Sequence, residues 1–348
     1  MNPYIKQSVQ NMCAYTPGEQ PTDPRIIKLN TNENPYPPSP AVMQALAGIP
    51  AEALRRYPDP VCRRVREVIA RLHGGTLDNV FAGNGSDEIL ALCTRAFVED
   101  AGSIGYMDPS YGLYHVMAQI RNVETRPVTF EPDYEWQIPA DYRASFFYLT
   151  TPNAPTGIQY PRETVAGFCR QFPGVVLLDE AYVDFADTHF MDMALTLPNV
   201  LVLRTLSKAY SLAGVRFGYV VGPAPLIAAM YKIKDSYNVD YIAQQVARAA
   251  LEDQAYMKAN AEKVRQTRGR LAGELVSLGF KVYPSSTNFL WIRPPSKLPA
   301  ASLFQRLREQ SIVVRYFDGP RTKDYVRITV GTGEQTDALL NAIRLMVG

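Results

Sequence analysis

Apolar runs with no polar alternation recur along this chain, and they end in polar, chemically capable residues. Asn199-Val200-Leu201-Val202-Leu203 reads as a strand buried on both faces. The same texture appears in Val175-Val176-Leu177-Leu178, Phe146-Phe147-Tyr148-Leu149, Ser103-Ile104-Gly105-Tyr106, Asn79-Val80-Phe81-Ala82 and Phe217-Gly218-Tyr219-Val220-Val221. Before and between them apolar residues return at helical spacing, as at Val61, Val65, Val68, Ile69 and Leu72, and at Ile89, Leu90, Leu92, Cys93, Ala96 and Phe97. Strands alternating with helices predict an α/β fold. From about 225 to 278 the texture becomes long helices, interrupted at 232–239. Short strands between helices follow, such as Phe289-Leu290-Trp291-Ile292 and Tyr325-Val326-Arg327-Ile328-Thr329-Val330, which predict a second, smaller α+β domain. The first thirty or so residues are polar and proline-bearing, and read as an arm lying on something else.

Composition narrows the class. A chain of 348 residues suggests roughly two domains. With 47% apolar and 20% charged residues it has the mix of a soluble globular protein. A net charge of +2 with scattered Lys and Arg argues against nucleic acid or a membrane surface as partner, and no apolar run is long enough to span a bilayer. Cys13, Cys62, Cys93 and Cys169 show no paired spacing, and His73, His115 and His189 form no ligand pattern with them. Free thiols and no metal are expected. The start lacks the basic and apolar segments of a secretory signal, so the expected location is the cytoplasm.

The chemistry sits where strands end. After the run 199–203 come Thr205, Ser207, Lys208, Arg216 and two glycines. A desolvated lysine can attack a carbonyl, while two hydroxyls and a guanidinium suit a phosphate. An aldehyde that carries a phosphate is pyridoxal 5′-phosphate (PLP). A lone Ser-Lys pair is more often a surface feature. Asp179 closes the run 175–178, and a carboxylate there needs a cation: a protonated pyridine nitrogen or an arginine, unless it caps a helix. It precedes Lys208 by 29 residues, one strand–helix–strand step, so both can reach one edge of a parallel sheet. In Gly83-Asn84-Gly85-Ser86-Asp87-Glu88 a glycine turn opens a helix; this is an anion site, or Ser86 is simply its N-cap. Asn153, in a turn fixed by Pro152 and Pro155, offers an amide donor, and Tyr111 in Pro109-Ser110-Tyr111-Gly112-Leu113-Tyr114 offers a ring for stacking or for covering apolar surface.

Taken together, the string from Thr205 to Gly218 resembles the cofactor-lysine signature of fold-type-I PLP aminotransferases, most closely that of the histidinol-phosphate aminotransferase family. The likeness runs from about residue 12 to the end with the motifs in order. It implies a large domain (33–245) with a mainly parallel seven-stranded sheet, a small domain (246–348), and an arm (1–32) that joins the small domain. It implies that Lys208 joins the cofactor's aldehyde and acts as acid–base. Gly85, Ser86, Asp87, Thr205, Ser207 and Arg216 would surround the phosphate. Tyr111 would stack on the ring, Asp179 meet its nitrogen, and Asn153 and Tyr182 its phenolic oxygen. Ala154 departs from the family, many of whose members have a second asparagine there. Tyr57 would reach a neighbouring subunit's cofactor phosphate, making a homodimer. Tyr15, Asn32, Arg315 and Arg327 would contact substrate, with Asn288 a weaker candidate. The implied reaction is transamination between L-histidinol phosphate and 2-oxoglutarate, giving imidazole-acetol phosphate and L-glutamate. A threonine-phosphate decarboxylase and an aromatic amino-acid aminotransferase share the fold and many of the motifs.

Overall fold

The uninterrupted apolar runs become the strands of one sheet. The computed structural model describes residues 2–130 and 133–347. After a short β1 (Ile27–Lys28) come β2 (Val80–Gly83), β3 (Ser103–Asp108), β4 (Glu124–Thr129), β5 (Phe146–Thr150), β6 (Val175–Asp179), β7 (Val200–Thr205) and β8 (Gly218–Val221). β2 to β8 form a seven-stranded sheet in the order β2-β8-β7-β6-β5-β3-β4. Only β8 runs against its neighbours. The runs lack alternation because both faces are covered. Phe147, Leu149, Val176, Leu178 and Val202 point into one core, and Phe146, Tyr148, Leu177, Leu201 and Leu203 into the other.

This direction rule puts the C-terminal ends of β2, β3, β5, β6 and β7 on one edge, where β8 begins. Gly83 and Thr205 both pair with Gly218, and Asp179 pairs with Thr150 on one side and Leu203 on the other. Crevices outside such strand ends are where open α/β sheets bind ligands.

The C-terminal strands are β9 (Lys281–Val282), β10 (Phe289–Arg293), β11 (Ile312–Val313), β12 (Arg315–Tyr316) and β13 (Val326–Thr329). Four of them make an antiparallel sheet, β12-β13-β10-β9, while β11 pairs in parallel with β1. Leu29, just after β1, shares a third core with Leu290, Leu303, Ile328 and Leu339, so the end of the arm is stitched to the C-terminal part. The expected boundary at 245/246 falls inside the helix Tyr241–Glu252, whose Val246, Ala250 and Leu251 belong to the first core. The cores meet along the 24-residue helix Gln254–Ser277, which buries Met257 and Val264 in the first core and Leu271 and Leu275 in the third.

All four cysteines are free. Among the described residues no helix is long and apolar enough to cross a membrane, and no cluster could hold a metal ion. His73 is committed to the core: it hydrogen-bonds Tyr219 Oη at 3.0 Å, and burial pushes its pKa down to about 3.

Candidate active site

Lys208 lies three residues past the end of β7 and is half-buried. Its Nζ donates to the Thr31 carbonyl (3.3 Å) and sits 5.6 Å from the centre of the Tyr182 ring. Asp179, the last residue of β6, is only 4% exposed. Its Oδ2 accepts from Tyr114 Oη at 2.6 Å and its Oδ1 from the Ala181 amide at 3.1 Å. No arginine or lysine among the described residues forms an ion pair with it. Burial pushes its carboxyl up to about 6 against the pull of those two hydrogen bonds. A buried carboxylate with donors but no countercharge is a site for a cationic group of a ligand.

A second cluster forms where β2, β7 and β8 meet. Thr205 Oγ1 donates to Ser207 Oγ (3.0 Å) and accepts from the Ser207 amide (3.1 Å). Arg216, in left-handed conformation at φ +58°, reaches Ser207 Oγ at 3.5 Å, and its Nη2 is 3.6 Å from Asp87 Oδ2. Gly85 has φ +78°, and a Cβ there would lie 2.6 Å from Arg216 Nη2. A Cβ on Gly218 would lie 2.9 Å from both Gly85 C and Ser86 N. Only glycines allow this approach. The helix Gly85–Phe97 is capped by Asn84 without a side-chain hydrogen bond; Ser86 is its second residue rather than its cap. The first helical amides therefore have no side-chain cap, beside a guanidinium and two hydroxyls, which is an anion cup. The Asp87 carboxylate faces Arg216 and the Tyr111 hydroxyl (3.4 Å), so only its backbone amide suits an anion.

Between these ends lie the walls. Tyr111 meets Tyr114 and Tyr15 edge to face, with ring centres 5.6 and 5.7 Å apart. Tyr182 Oη accepts from Asn32 Nδ2 (2.9 Å), which leaves its own proton to donate. Asn32, at φ +58°, is further fixed by Thr329, whose Oγ1 donates to Asn32 Oδ1 and accepts from the Asn32 amide, both at 3.0 Å. Asn153 departs from expectation: both hydrogens of its amide are already donated, to the Pro109 carbonyl (3.1 Å) and Thr156 Oγ1 (3.0 Å). It can serve a ligand only by releasing one of them.

Arg327 donates to the Asn30 carbonyl (2.8 Å), while its buried Nε has no partner. Its guanidinium lies 5.2 Å from the Phe289 ring and 5.5 Å from the Phe317 ring. Asn288 Nδ2 donates to the Asn32 carbonyl (2.9 Å), and its buried Oδ1 is likewise unpartnered. Arg315 holds the arm instead, donating to the carbonyls of Thr16 (3.0 Å) and Pro17 (3.3 Å). Tyr57 is 80% exposed and stacked on Tyr237, with ring centres 4.4 Å apart. Within one chain it takes no part in the cleft. Sequence reasoning passed over Tyr114, Thr150, Ser110 and the Thr31 carbonyl. The available signal was the second tyrosine of Pro109-Ser110-Tyr111-Gly112-Leu113-Tyr114 and the position of Thr150 beside Asp179.

The residues fit pyridoxal 5′-phosphate at three points: an unpaired buried carboxylate for the ring nitrogen, a half-buried lysine amine for the aldehyde, and a glycine-floored cup for the phosphate. Fold and cleft together define a fold-type-I, PLP-dependent enzyme. The family model of aminotransferase class I and II matches residues 24–343. Histidinol-phosphate aminotransferase 1 of Nostoc sp. is 43% identical over 348 residues, covering 99% of this chain and 98% of that protein. Histidinol-phosphate aminotransferase of Synechocystis sp. is 44% identical over 347 residues, with 99% and 98% covered. The crystal structure of histidinol-phosphate aminotransferase from Sinorhizobium meliloti, in complex with pyridoxal 5′-phosphate, superposes with a TM-score of 0.88 at 24% identity, over 100% of this chain and 98% of that one. This chain belongs to the class I and II aminotransferases.

Proposed function

We propose that this protein transfers the amino group of L-histidinol phosphate to 2-oxoglutarate, giving imidazole-acetol phosphate and L-glutamate in histidine biosynthesis. The observation that carries the reading is that the Lys208 amine and the buried Asp179 carboxylate, which has no ion-pair partner among the described residues, lie at the ends of two adjacent parallel strands. Full-length relatives at 43–44% identity that carry the histidinol-phosphate aminotransferase name support the substrate.

Bound in the cleft, pyridoxal 5′-phosphate supplies an electron-withdrawing ring that stabilises negative charge at the substrate's α-carbon. Asp179 holds a proton on the ring nitrogen. Tyr182 donates its free hydroxyl to the ring oxygen, joined by Asn153 when it releases a turn contact. Tyr111 covers one ring face. Thr205, Ser207, Arg216 and the amides of Gly85, Ser86 and Asp87 hold the phosphate. Lys208 Nζ would hold the cofactor through its aldehyde and, as a free amine, would serve as the acid–base that takes the proton from the substrate's α-carbon and returns it to the cofactor's aldehyde carbon. Arg327, with an unpartnered Nε facing no internal acceptor, takes the anionic end of the substrate, with Arg315, Tyr15 and Asn32 around it. Tyr57 completes a neighbouring subunit's phosphate site in a homodimer of the cytoplasm.

Supplied with histidinol phosphate and 2-oxoglutarate, the purified protein should produce glutamate, and Lys208→Ala should abolish it. Release of carbon dioxide from threonine phosphate with no glutamate formed would replace this reading with the decarboxylase. Faster turnover of phenylalanine than of histidinol phosphate would replace it with the aromatic aminotransferase.

A further inference from the structure

Behind the cleft, Tyr114 Oη lies 2.6 Å from Asp179 Oδ2 and 2.7 Å from Thr150 Oγ1. Thr150 Oγ1 is 3.3 Å from Ser110 Oγ, which is 3.2 Å from Asn153 Oδ1. Tyr114 and Thr150 are at most 1% exposed, and the Tyr114 ring is stacked on Tyr148 with centres 4.4 Å apart, so neither hydroxyl has water to turn to. Three hydroxyl protons serve four contacts. The Asn153 nitrogen is engaged elsewhere and cannot supply a fourth. The carboxylate is the strongest acceptor and the two shortest contacts lie at its end, so the Tyr114 proton goes to Asp179 and the Thr150 proton to Tyr114.

We propose that Tyr114, polarised by Thr150 behind it, is a positioning residue that keeps the Asp179 carboxylate ionised toward the cofactor's ring nitrogen. The inference rests on the cofactor reading above. The other ionisable groups acting on Asp179 are Asp87 on the helix Gly85–Phe97, which opposes its charge, and Lys208 beyond β7, which favours it. Tyr148 on β5 also faces it, as a neutral phenol. None of these changes when the Tyr114 hydroxyl is removed, because Tyr114→Phe keeps the stacked ring.

The test is the affinity of the cofactor-free, full-length protein for pyridoxal 5′-phosphate, measured by equilibrium dialysis between about pH 5 and pH 9. The wild-type affinity falls as Asp179 takes up a proton. In Tyr114→Phe the fall should begin about one to two pH units higher, the shift expected from losing one charge-assisted hydrogen bond, with affinity at the alkaline end close to wild type. Thr150→Val should shift the profile less and in the same direction, Thr150→Ser should restore it, and Thr150→Val should add nothing to Tyr114→Phe. A Tyr114→Phe profile that coincides with wild type, an equal loss of affinity at every pH, or an additive effect of Thr150→Val would overturn the proposal. Should Tyr114→Phe fail to fold, the Thr150→Val and Thr150→Ser pair decides by the same shift. Failure of the wild-type protein to bind the cofactor at all would instead remove the reading on which the proposal rests.

Discussion

Replacing Gly85 with alanine separates the two jobs that one glycine does at the anion cup. The first is conformational: at φ +78° a side chain costs about 1–2 kcal/mol of folding stability. The second is spatial. The new Cβ would stand 2.6 Å from Arg216 Nη2, and Gly218 packs against the Gly85 backbone from behind, so the guanidinium must move. A flexible side chain moves at little expense to the fold, but Arg216 then leaves Ser207 and the phosphate position. A charge-assisted contact of this kind is worth about 1.5–3 kcal/mol, or a loss of about ten- to a hundredfold in cofactor affinity. Gly74 provides the control, since it has φ +72° with nothing within 4 Å of its Cβ position. Urea unfolding of the cofactor-free proteins should show similar destabilisation in Gly85→Ala and Gly74→Ala. Equilibrium dialysis should show weakened binding of pyridoxal 5′-phosphate in Gly85→Ala alone. Equal affinities in the two variants would refute the placing of the phosphate beside Arg216.

The raised carboxyl of Asp179 makes a statement about pH. Titrating near 6 when folded against 3.8 for the free side chain, it holds its proton more tightly in the native cofactor-free protein, so stability falls by about 3 kcal/mol as pH rises from about 4 to about 6. Asp179→Asn should flatten that part of the stability curve; an unchanged slope would deny the burial penalty. Arg204 pairs at 2.8 Å with the fully buried Glu180, so Arg204→Met should destabilise the fold by about 3–5 kcal/mol by stranding a carboxylate, and adding Glu180→Gln should recover most of this. Chemical denaturation of the single and double variants reads both numbers, and a loss below about 1 kcal/mol in the single variant would place the pair among ordinary surface contacts. For Tyr57, inactive Lys208→Ala protein and Tyr57→Ala protein should regain activity when mixed and allowed to exchange subunits, because one site of the mixed dimer then has both groups. No recovery would mean that Tyr57 acts within its own chain or not at all.

The elements legible in the sequence were those whose burial leaves a one-dimensional trace. β5, β6 and β7 are covered on both faces, so they read as unbroken apolar runs, and the first polar side chain after each run, Thr150, Asp179 or Arg204, marks the sheet edge. β4 left no such trace. It is the outermost strand, mostly exposed, and carries Glu124, Arg126 and Pro127, which an edge tolerates and an apolar pattern misses. The two-residue strands β1 and β11 exist only because they pair with each other across the chain. In the cleft, Lys208, Asp179 and the glycine turn were visible because polar or glycine residues directly follow apolar strands, where a charge would be costly without a partner. Tyr114 was not, since a tyrosine near the start of an amphipathic helix looks like core until the strand opposite is known. The spent hydrogens of Asn153 were equally hidden, being set by Pro109 and Thr156 in three dimensions.

Why the cleft forms at this edge follows from parity along three neighbouring strands. Side chains alternate faces, so Thr150, Asp179 and Thr205 project to the side that holds Leu177, Leu203, Tyr148 and Tyr114, while Glu180 and Arg204 project to the opposite side with Leu178, Val202 and Tyr219. Consecutive acids in Asp179-Glu180 thus take different work. One faces the cleft with no ion-pair partner among the described residues, and the other binds Arg204 beneath the sheet, next to the backbone bond from the Glu180 amide to the Leu203 carbonyl (2.9 Å). The ion pair locks β6 to β7 one residue beyond Asp179 and four before Lys208. A slip of one residue between these strands would turn Glu180 toward the cleft and bury Asp179 against Arg204, exchanging the two carboxylates. The separation of Asp179 from Lys208 is therefore set by strand register and its buried staple, and the loops that follow each strand need only supply the remaining contacts.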